Sequence, residues 1–349
     1  TDPWQSQNMV EYNTFAPQGK NDLTSFFSQM KFEYDIYTLD LNLNYVDYHI
    51  KGRKPACDPR AACFPEGEMN LSRHDRNWDP GMLFSAEIIP EFQPFVSYAH
   101  TMRAPTSQEI FFANEGGASM NPFLKSEKAD TVQIGFNSYH PDLMMEGDSL
   151  RFKGLWYHTK IKDYISSDSY LVCKGGVRCK NDGSLTGEDY AGIEYDGNIF
   201  LYTNSLDPVT LRGYELQANY DAGVFYTNLS YSDQRTSQPT SIASTDFGQT
   251  PASELPKYYA TIDTGVRFFD DQSLELGTVI QITGKARKSS PEGVDYDTGK
   301  VPMVQQDDIP TVVDVYSNYR INKNISLKFA VHNLMNKNYS NALDRSNSA

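Results

Sequence analysis

The feature that most constrains this chain is a two-residue alternation of apolar and polar side chains that recurs along most of its length. In residues 36–50, for example, Leu39, Leu41 and Leu43 alternate with Asp40 and Asn42. This alternation predicts a β-strand whose two faces meet different environments. The sequence contains about twelve such segments, and no helical periodicity persists for ten residues. The fold is therefore predicted to be all-β.

The predicted connections between these strands alternate strictly between short turns and long loops. Short turns are predicted at Asp35, at residues 221–223 and at residues 270–272. Long loops are predicted near residues 51–79, 104–126, 166–196, 236–256 and 286–308. A meander with short turns at one end and long loops at the other is typical of a transmembrane β-barrel, and the sheet must close because lipid cannot pair backbone groups. We therefore expect residues 1–349 to form one antiparallel, partial barrel domain in a lipid bilayer.

The composition fits this expectation and excludes other classes. The mean hydropathy is -0.56, which suits a barrel because only every second strand residue meets lipid. Aromatic residues near predicted strand ends, such as Tyr34, Tyr98, Tyr231, Tyr258 and Phe268, are candidates for the interfacial girdles. The net charge of -14 argues against a nucleic-acid partner. No nucleophile elbow, HExxH or Gly-rich phosphate loop is present, so we do not expect an enzyme.

The four cysteines form two pairs with C-x5-C spacing, Cys57/Cys63 and Cys173/Cys179. Each pair lies in a predicted polar loop, and the spacing differs from the C-x2-C pattern of zinc sites. We predict two local disulfides and hence an oxidising compartment. The alternative is four free thiols on the surface of a cytosolic protein.

Two short motifs bracket the loop at 104–126. The first is Arg103-Ala104-Pro105 and the second is Asn121-Pro122-Phe123-Leu124. They resemble the FRAP and NPxL boxes of the haem and haemoprotein branch of TonB-dependent outer-membrane receptors. Residues 23–29 (LTSFFSQ), 212–216 (RGYEL), 221–231 (DAGVFYTNLSY) and 333–339 (NLMNKNY) are similar to further segments of the family, so the resemblance runs from about residue 22 to 340.

The resemblance implies a bacterial outer-membrane barrel of about 22 strands with an N-terminal plug domain and a TonB box. The resemblance also implies that neither the plug, nor the TonB box, nor the family's final strand is expected in this chain. The implied function is uptake of haem as the transported ligand, without an intrinsic cofactor. The implied partners are haem or a haem-carrying protein at the extracellular loops, and the TonB complex through the plug.

The candidate ligand residues lie mainly between the two boxes. Receptors of this branch usually carry a haem-ligating histidine there, but residues 106–120 contain none. His74, placed in the predicted loop 51–79, and Met120 are the candidate iron ligands. Phe111 and Phe112 are candidate packing partners for haem. Arg103 could pair with a haem propionate or, alternatively, with a carboxylate of the barrel wall.

Two other functions remain open at this level. The missing histidine favours a receptor for a siderophore or for iron from transferrin. A passive porin is a further alternative. Pro105 and Pro122 cannot donate a ladder hydrogen bond, so the two boxes could also be structural brackets for the loop.

Overall fold

A computed structural model describes residues 19–56, 67–111, 113–114, 117–118, 120–173, 177–180, 195–205, 207–238, 255–289, 303–305 and 309–339. Its elements follow in chain order as β1 (Gly19–Tyr34), β2 (Tyr37–Lys54), β3 (Met69–Ala86), β4 (Gln93–Arg103), α1 (Ser107–Ile110), β5 (Ala113–Asn114), β6 (Gly117–Ala118), β7 (Glu127–Pro141), β8 (Ser149–Lys162), β9 (Ile165–Cys173), β10 (Val177–Lys180), β11 (Tyr195–Asn204), β12 (Val209–Asp221), β13 (Phe225–Thr236), β14 (Tyr258–Phe268), β15 (Leu274–Thr283), β16 (Arg287–Ser289), β17 (Met303–Gln305), β18 (Val312–Asn322) and β19 (Ile325–Val331). None of the helices in these ranges has the length and apolarity needed to cross a membrane.

A single 12-stranded sheet organises the described chain. Its strand order is β1-β2-β3-β4-β7-β8-β12-β13-β14-β15-β18-β19, so spatial order follows chain order. Every neighbouring pair is antiparallel, for example β2 with β3 and β7 with β8. The prediction of about twelve antiparallel strands in a meander is therefore confirmed.

The two ends of this sheet differ in how the strands are connected. Short turns at residues 35–36, 87–92, 142–148, 222–224, 269–273 and 323–324 all lie at one end, which we call the turn end. The strands that flank the longer connections all have their flanking ends at the other end of the sheet, which we call the loop end; these connections are residues 55–68, 104–126, 163–208, 237–257 and 284–311. The alternation of short and long connections is as predicted.

The sheet has one apolar and one polar face. On β2 and β3 the apolar face pairs Leu41 with Met82 and Tyr45 with Trp78, whose rings lie 4.9 Å apart. The polar face of the same strands includes Asp79. Since lipid accepts apolar side chains and a lumen accepts polar ones, the apolar face is the lipid-facing surface of a barrel wall.

The predicted loop at 51–79 was too long. The β2–β3 ladder continues past Tyr45 and Trp78 up to the pair Lys54 and Met69, so His74 lies in a strand. The alternation stops being visible there because both faces carry polar side chains, while backbone pairing needs no particular side chain.

The predicted loop at 166–196 was also wrong in part. This region contains most of β9, all of β10 and the first residues of β11. These three strands form a separate sheet in the order β10-β9-β11. The single strand predicted at about 198–220 is two strands, β11 and β12, because Pro208 interrupts pairing and the chain moves from the small sheet to the main one.

The remaining loop predictions agree with the observed strand ends. β13 ends at Thr236 and β14 begins at Tyr258, on either side of the predicted loop 236–256. The connection predicted at 286–308 contains a small hairpin in which Arg287 pairs with Gln305.

The disulfide prediction stays a prediction. Cys57 and Cys63 lie outside the described residues. Cys173 and Cys179 lie on the paired strands β9 and β10, where only the backbone is described.

Candidate functional site

The connection between β4 and β7 is folded against the polar face at the loop end. It begins with the short helix α1, whose N-cap Thr106 forms a reciprocal capping box with Glu109. The Thr106 hydroxyl accepts a hydrogen bond from the Glu109 N–H at 3.2 Å, and the Glu109 carboxylate accepts one from the Thr106 N–H at 2.7 Å. This reciprocal capping by Thr106 and Glu109 stabilises a helix that is too short to be stable alone.

An apolar cluster holds this connection to the sheet. Four of its side chains are fully buried at 0% exposure, namely Ile50 on β2 and Ile110, Met120 and Leu124 in the connection itself. The other members are Ala104, Phe111 and Ile165, with Tyr48, Met69, Leu71 and Tyr202 packed against the cluster. We call this set the loop-end cluster. It joins residues from β2, β3, β9 and β11 to the segment between the two boxes.

Arg103 ties the same segment to two carboxylates. Its Nε donates to Glu127 Oε2 at 2.7 Å, and its Nη1 donates to Glu109 Oε2 at 2.9 Å. The other Glu127 oxygen accepts the Ile165 N–H at 2.7 Å. Glu127 is only 11% exposed. One nearly buried carboxylate thus links β4, β7 and β9.

The second box forms a turn that is fixed from both sides. The Asn121 side chain donates to the Tyr202 carbonyl at 2.7 Å and accepts the Phe123 N–H at 3.1 Å. Arg73 Nη1, on β3, donates to the Pro122 carbonyl at 3.2 Å. Leu124 then enters the loop-end cluster, while Phe123 is left 76% exposed.

Further hydrogen bonds join this turn to the connection between β8 and β12. Asn204 Oδ1 accepts the Lys125 N–H at 2.7 Å, and its Nδ2 donates to the carbonyls of Lys125 and Asp163. Ser126 Oγ donates to Asp75 Oδ2 at 2.7 Å. Described residues of two long connections, 104–126 and 163–208, are thus joined to the β2–β3 ladder in one unit at the loop end.

Residues of the two boxes lie at either end of the segment between β4 and β7. Ala104, Pro105 and Leu124 are buried, and β4 ends at Arg103, directly before Pro105. Pro122 does not end a strand, since β7 begins only at Glu127.

The candidate ligand residues differ in their burial and in their contacts. Arg103 contacts the wall carboxylate Glu127, which was the alternative given for it. Phe111 and Met120 are both members of the loop-end cluster and are buried. Phe112 lies outside the described residues, so its predicted contact stays a prediction.

His74 is not in a loop, contrary to the prediction. It lies in β3 on the apolar-face side, where its ring stacks on His49 with centroids 4.0 Å apart. Its Nδ1 is 2.7 Å from Asp47 Oδ1. The loop-end cluster lies on the opposite face of the same two strands, which carries Ile50 and Leu71.

Sequence reasoning missed Glu127, Asn204 and Arg73 as anchors of the segment. Glu127 had a usable signal, since it is a charged residue at a strand start that pairs in register with Arg103. Asn204 and Arg73 had none, because their partners are backbone atoms that lie 79 and 49 residues away.

The polar face continues towards the turn end as a hydrogen-bonded wall. Tyr316 donates to Asp263 at 2.8 Å and contacts the Tyr226 hydroxyl, and Arg267 lies 4.5 Å from the centre of the Tyr226 ring. Arg267 also forms two hydrogen bonds to Asp221, at 2.9 and 3.1 Å. In the described ranges no group of three or more His, Cys, Asp or Glu side chains is arranged to hold a metal ion.

Comparison with known proteins gives the same picture of the fold. Residues 1–334 match the family model described as "TonB dependent receptor-like, beta-barrel". The chain is 30% identical to a probable TonB-dependent receptor of Haemophilus influenzae, over 95% of this chain and 39% of the relative. It is 26% identical to the TonB-dependent heme receptor A of Haemophilus ducreyi, over 95% of this chain and 44% of the relative. The chain thus spans less than half the length of these relatives.

A solved structure shares the fold. This is a double mutant of the Serratia marcescens hemophore receptor HasR in complex with its hemophore HasA and heme. It superposes with a TM-score of 0.66 at 21% identity, over 96% of this chain and 51% of that one. The chain therefore belongs to the TonB-dependent receptor family, as a large part of the β-barrel by which these proteins span the bacterial outer membrane.

Proposed function

We propose that the protein to which this barrel belongs imports haem across the outer membrane. It takes up either free haem or haem delivered by a haem-carrying protein, at the loop end. The observation that carries the proposal is the 26% identity to the TonB-dependent heme receptor A over 95% of the chain. Two further relatives support it, a hemin receptor of Yersinia enterocolitica at 30% over 40% of the chain and a hemophilin receptor of Acinetobacter baumannii at 23% over 78%.

The described chain supplies the wall and the entrance for this transport. The loop end joins two long connections to the β2–β3 ladder on the lumen side of the wall, so it offers a rigid surface to an incoming partner. Rigidity matters because a surface that is ordered before binding loses less entropy on docking. The TonB contact and the plug movement belong to the rest of the protein.

Ligand contacts are proposed for the segment between the boxes. Arg103 is 43% exposed, and its contact with Glu109 could be exchanged for a haem propionate while Glu127 continues to hold the guanidinium. Phe111 and Met120 would have to leave the loop-end cluster to touch haem, so their contact requires the segment to open. Phe112 is proposed as a further packing partner. His74 would meet a ligand only from outside the wall.

Absorption titration of haem into the purified full-length receptor tests the proposal. Binding should shift the Soret band, and Arg103→Gln should weaken the binding. Growth on haem as the sole iron source should require both the receptor and TonB. Absence of any Soret shift with the intact receptor would contradict a haem receptor.

A receptor for a siderophore or transferrin iron is the second candidate. The observation in its favour is the absence of a histidine in residues 106–120. It predicts TonB-dependent uptake of radioactive iron from such a source without a Soret change. Uptake that continues without TonB would instead indicate a passive pore.

A further inference from the structure

Two neighbouring turns at the turn end present apolar side chains to solvent. The turn between β7 and β8 carries Leu143, Met144 and Met145, and the turn between β3 and β4 carries Ile88 and Ile89. All five side chains are exposed, and Met144 is the most exposed at 77%. We call these five residues the turn patch.

The two turns that carry the turn patch lie next to each other and are in contact. They are neighbours because β4 pairs with β7. The Tyr139 N–H, at the start of the second turn, donates to the Pro90 carbonyl in the first turn at 3.0 Å. Phe92 ends the first turn, and its ring centre lies 5.9 Å from that of Phe136 on β7. The turn patch therefore belongs to one area of the turn end.

Polar contacts alone fix the turn between β7 and β8. The carboxylate of the buried Asp148 accepts the backbone N–H groups of residues 143–145 at 2.6, 2.9 and 3.0 Å, and the Tyr220 hydroxyl at 2.7 Å. The Asp142 carboxylate accepts the N–H of Gly147 at 2.6 Å, and the φ of 85° at Gly147 suits glycine. The apolar side chains of the turn are therefore not needed for its conformation.

Three consecutive exposed apolar residues are unusual in such a turn, where Gly, Asn, Asp and Ser normally dominate. A single exposed apolar side chain needs no explanation, whereas a group of them on one surface marks an interaction site. Methionine is adaptable and common at binding surfaces. Because the turn is ordered before any partner arrives, docking on it costs little conformational entropy.

The rim of the turn patch is acidic. Residues 87–92 and 142–148 contain several carboxylates and neither Lys nor Arg. The side chains of Glu87, Glu91 and Glu146 are exposed, and no residue in the described part of the chain forms an ion pair with them. The turn patch is thus an apolar centre with unneutralised negative charge around it.

This charge argues for a protein partner rather than for the membrane. An anionic membrane surface attracts basic residues and therefore repels the carboxylates of this rim. Burying those carboxylates among acyl chains without a partner would cost free energy. A protein surface with an apolar centre and a rim of lysine and arginine side chains is complementary to both features.

We propose that the turn patch docks a periplasmic protein whose contact surface has an apolar centre rimmed by lysine and arginine side chains. Barrels of this class have their short turns on the periplasmic side, so the partner approaches from there. The turn patch supplies the apolar anchor, and Glu87, Glu91 and Glu146 supply the charge. The contact is made by the barrel wall itself, at the end opposite to the loop end, and it does not depend on which cargo the receptor carries.

Photo-cross-linking in intact cells that contain the full-length receptor tests the proposal. The probe is p-benzoylphenylalanine in place of Met144, and the irradiated receptor is analysed by electrophoresis and mass spectrometry. One protein adduct should form, and the cross-linked peptide of the partner should carry a net positive charge. The combined variant Glu87→Gln, Glu91→Gln and Glu146→Gln should lower the adduct yield about tenfold, because each exposed ion pair contributes a factor of roughly two to three.

The matched control carries the same probe in place of Phe269, an exposed residue in another turn of the same end, where Asp271 already has Arg320 at 3.9 Å. It should not form the adduct, and all variants should reach the outer membrane in wild-type amounts as folded barrels. The absence of a protein adduct at Met144, or an adduct with lipid alone, would overturn the proposal. An equal yield from the Phe269 position, or an unchanged yield without the three glutamates, would also overturn it.

Discussion

Replacing Leu124 by alanine should release the segment between the two boxes without unfolding the sheet. Leu124 is fully buried in the loop-end cluster beside Ile110 and Met120. Burying a leucine side chain contributes roughly 2 kcal/mol from transfer alone, and the cavity left behind adds to the loss, so we expect about 3 kcal/mol. That free energy corresponds to about a hundredfold increase in the local opening equilibrium.

Amide hydrogen exchange of the full-length receptor measures this opening directly. The reporters are the Phe111 N–H, bonded to the Ser107 carbonyl at 2.9 Å, and the Asn121 N–H, bonded to the Ile110 carbonyl at 2.9 Å. Both should exchange about a hundredfold faster in Leu124→Ala, because they lie inside the released segment. Amides in the middle of β7 should keep their wild-type rates.

Phe123→Ala is the matched control for this experiment. Phe123 is the neighbouring residue of the same turn, but its side chain is 76% exposed, so its removal leaves no cavity. Unchanged exchange in Leu124→Ala, or equal acceleration in Phe123→Ala, would refute the packing argument.

Three further predictions concern other parts of the fold. Arg103→Met should lower the stability of the loop end by about 2 kcal/mol, because it leaves Glu109 and Glu127 without their charged donor. Faster hydrogen exchange of the α1 amides should show this loss, whereas Arg103→Lys should retain part of the stability. Gly213→Ala should destabilise the sheet by about 1–3 kcal/mol in urea, since a Cβ there would lie 2.0 Å from a carbonyl oxygen of the neighbouring strand; wild-type stability would contradict that clash. Burial of Asp148 raises the pKa of its carboxyl, but hydrogen bonds from a tyrosine hydroxyl and three backbone N–H groups in the turn outweigh it, so the pKa lies below the usual value. The stabilisation by the Asp148 carboxylate is therefore present above about pH 4 and is lost as the pH falls below that. In Asp148→Asn the thermal unfolding midpoint should depend less on pH over that acidic range.

The sheet was predictable because one physical rule acts on every strand. Lipid on one side and water on the other impose alternation on residues such as Leu41 and Asn42, and that signal repeats in each strand. Part of the strand order followed from the predicted short turns, because two strands that are joined by a short turn pair with each other. Where the rule stops, as at His74, the ladder continued without any visible alternation, and the predicted loop was wrong.

The arrangement of the loop end could not be predicted for a different reason. Asn204 holds Lys125 through backbone atoms, and Asn121 binds the Tyr202 carbonyl. Such contacts depend on where distant connections meet in space, and an asparagine side chain in a loop has many possible partners. The apolar cluster left only a partial signal, because Ile110, Met120 and Leu124 are scattered over a segment without periodicity.

The height of the apolar band on β2 has a consequence for how the molecule responds to solvent. From Tyr37 to Tyr45 the strand advances eight residues, which at about 3.3 Å per residue and a tilt of about 40° crosses roughly 20 Å of hydrocarbon. Ile50 and the residues packed on it stand above that layer, in a part of the wall surrounded by water on both sides. Urea acts on protein surface that it can reach from water. Moderate concentrations should therefore unfold this water-exposed part of the wall, while the part that is shielded by acyl chains stays folded.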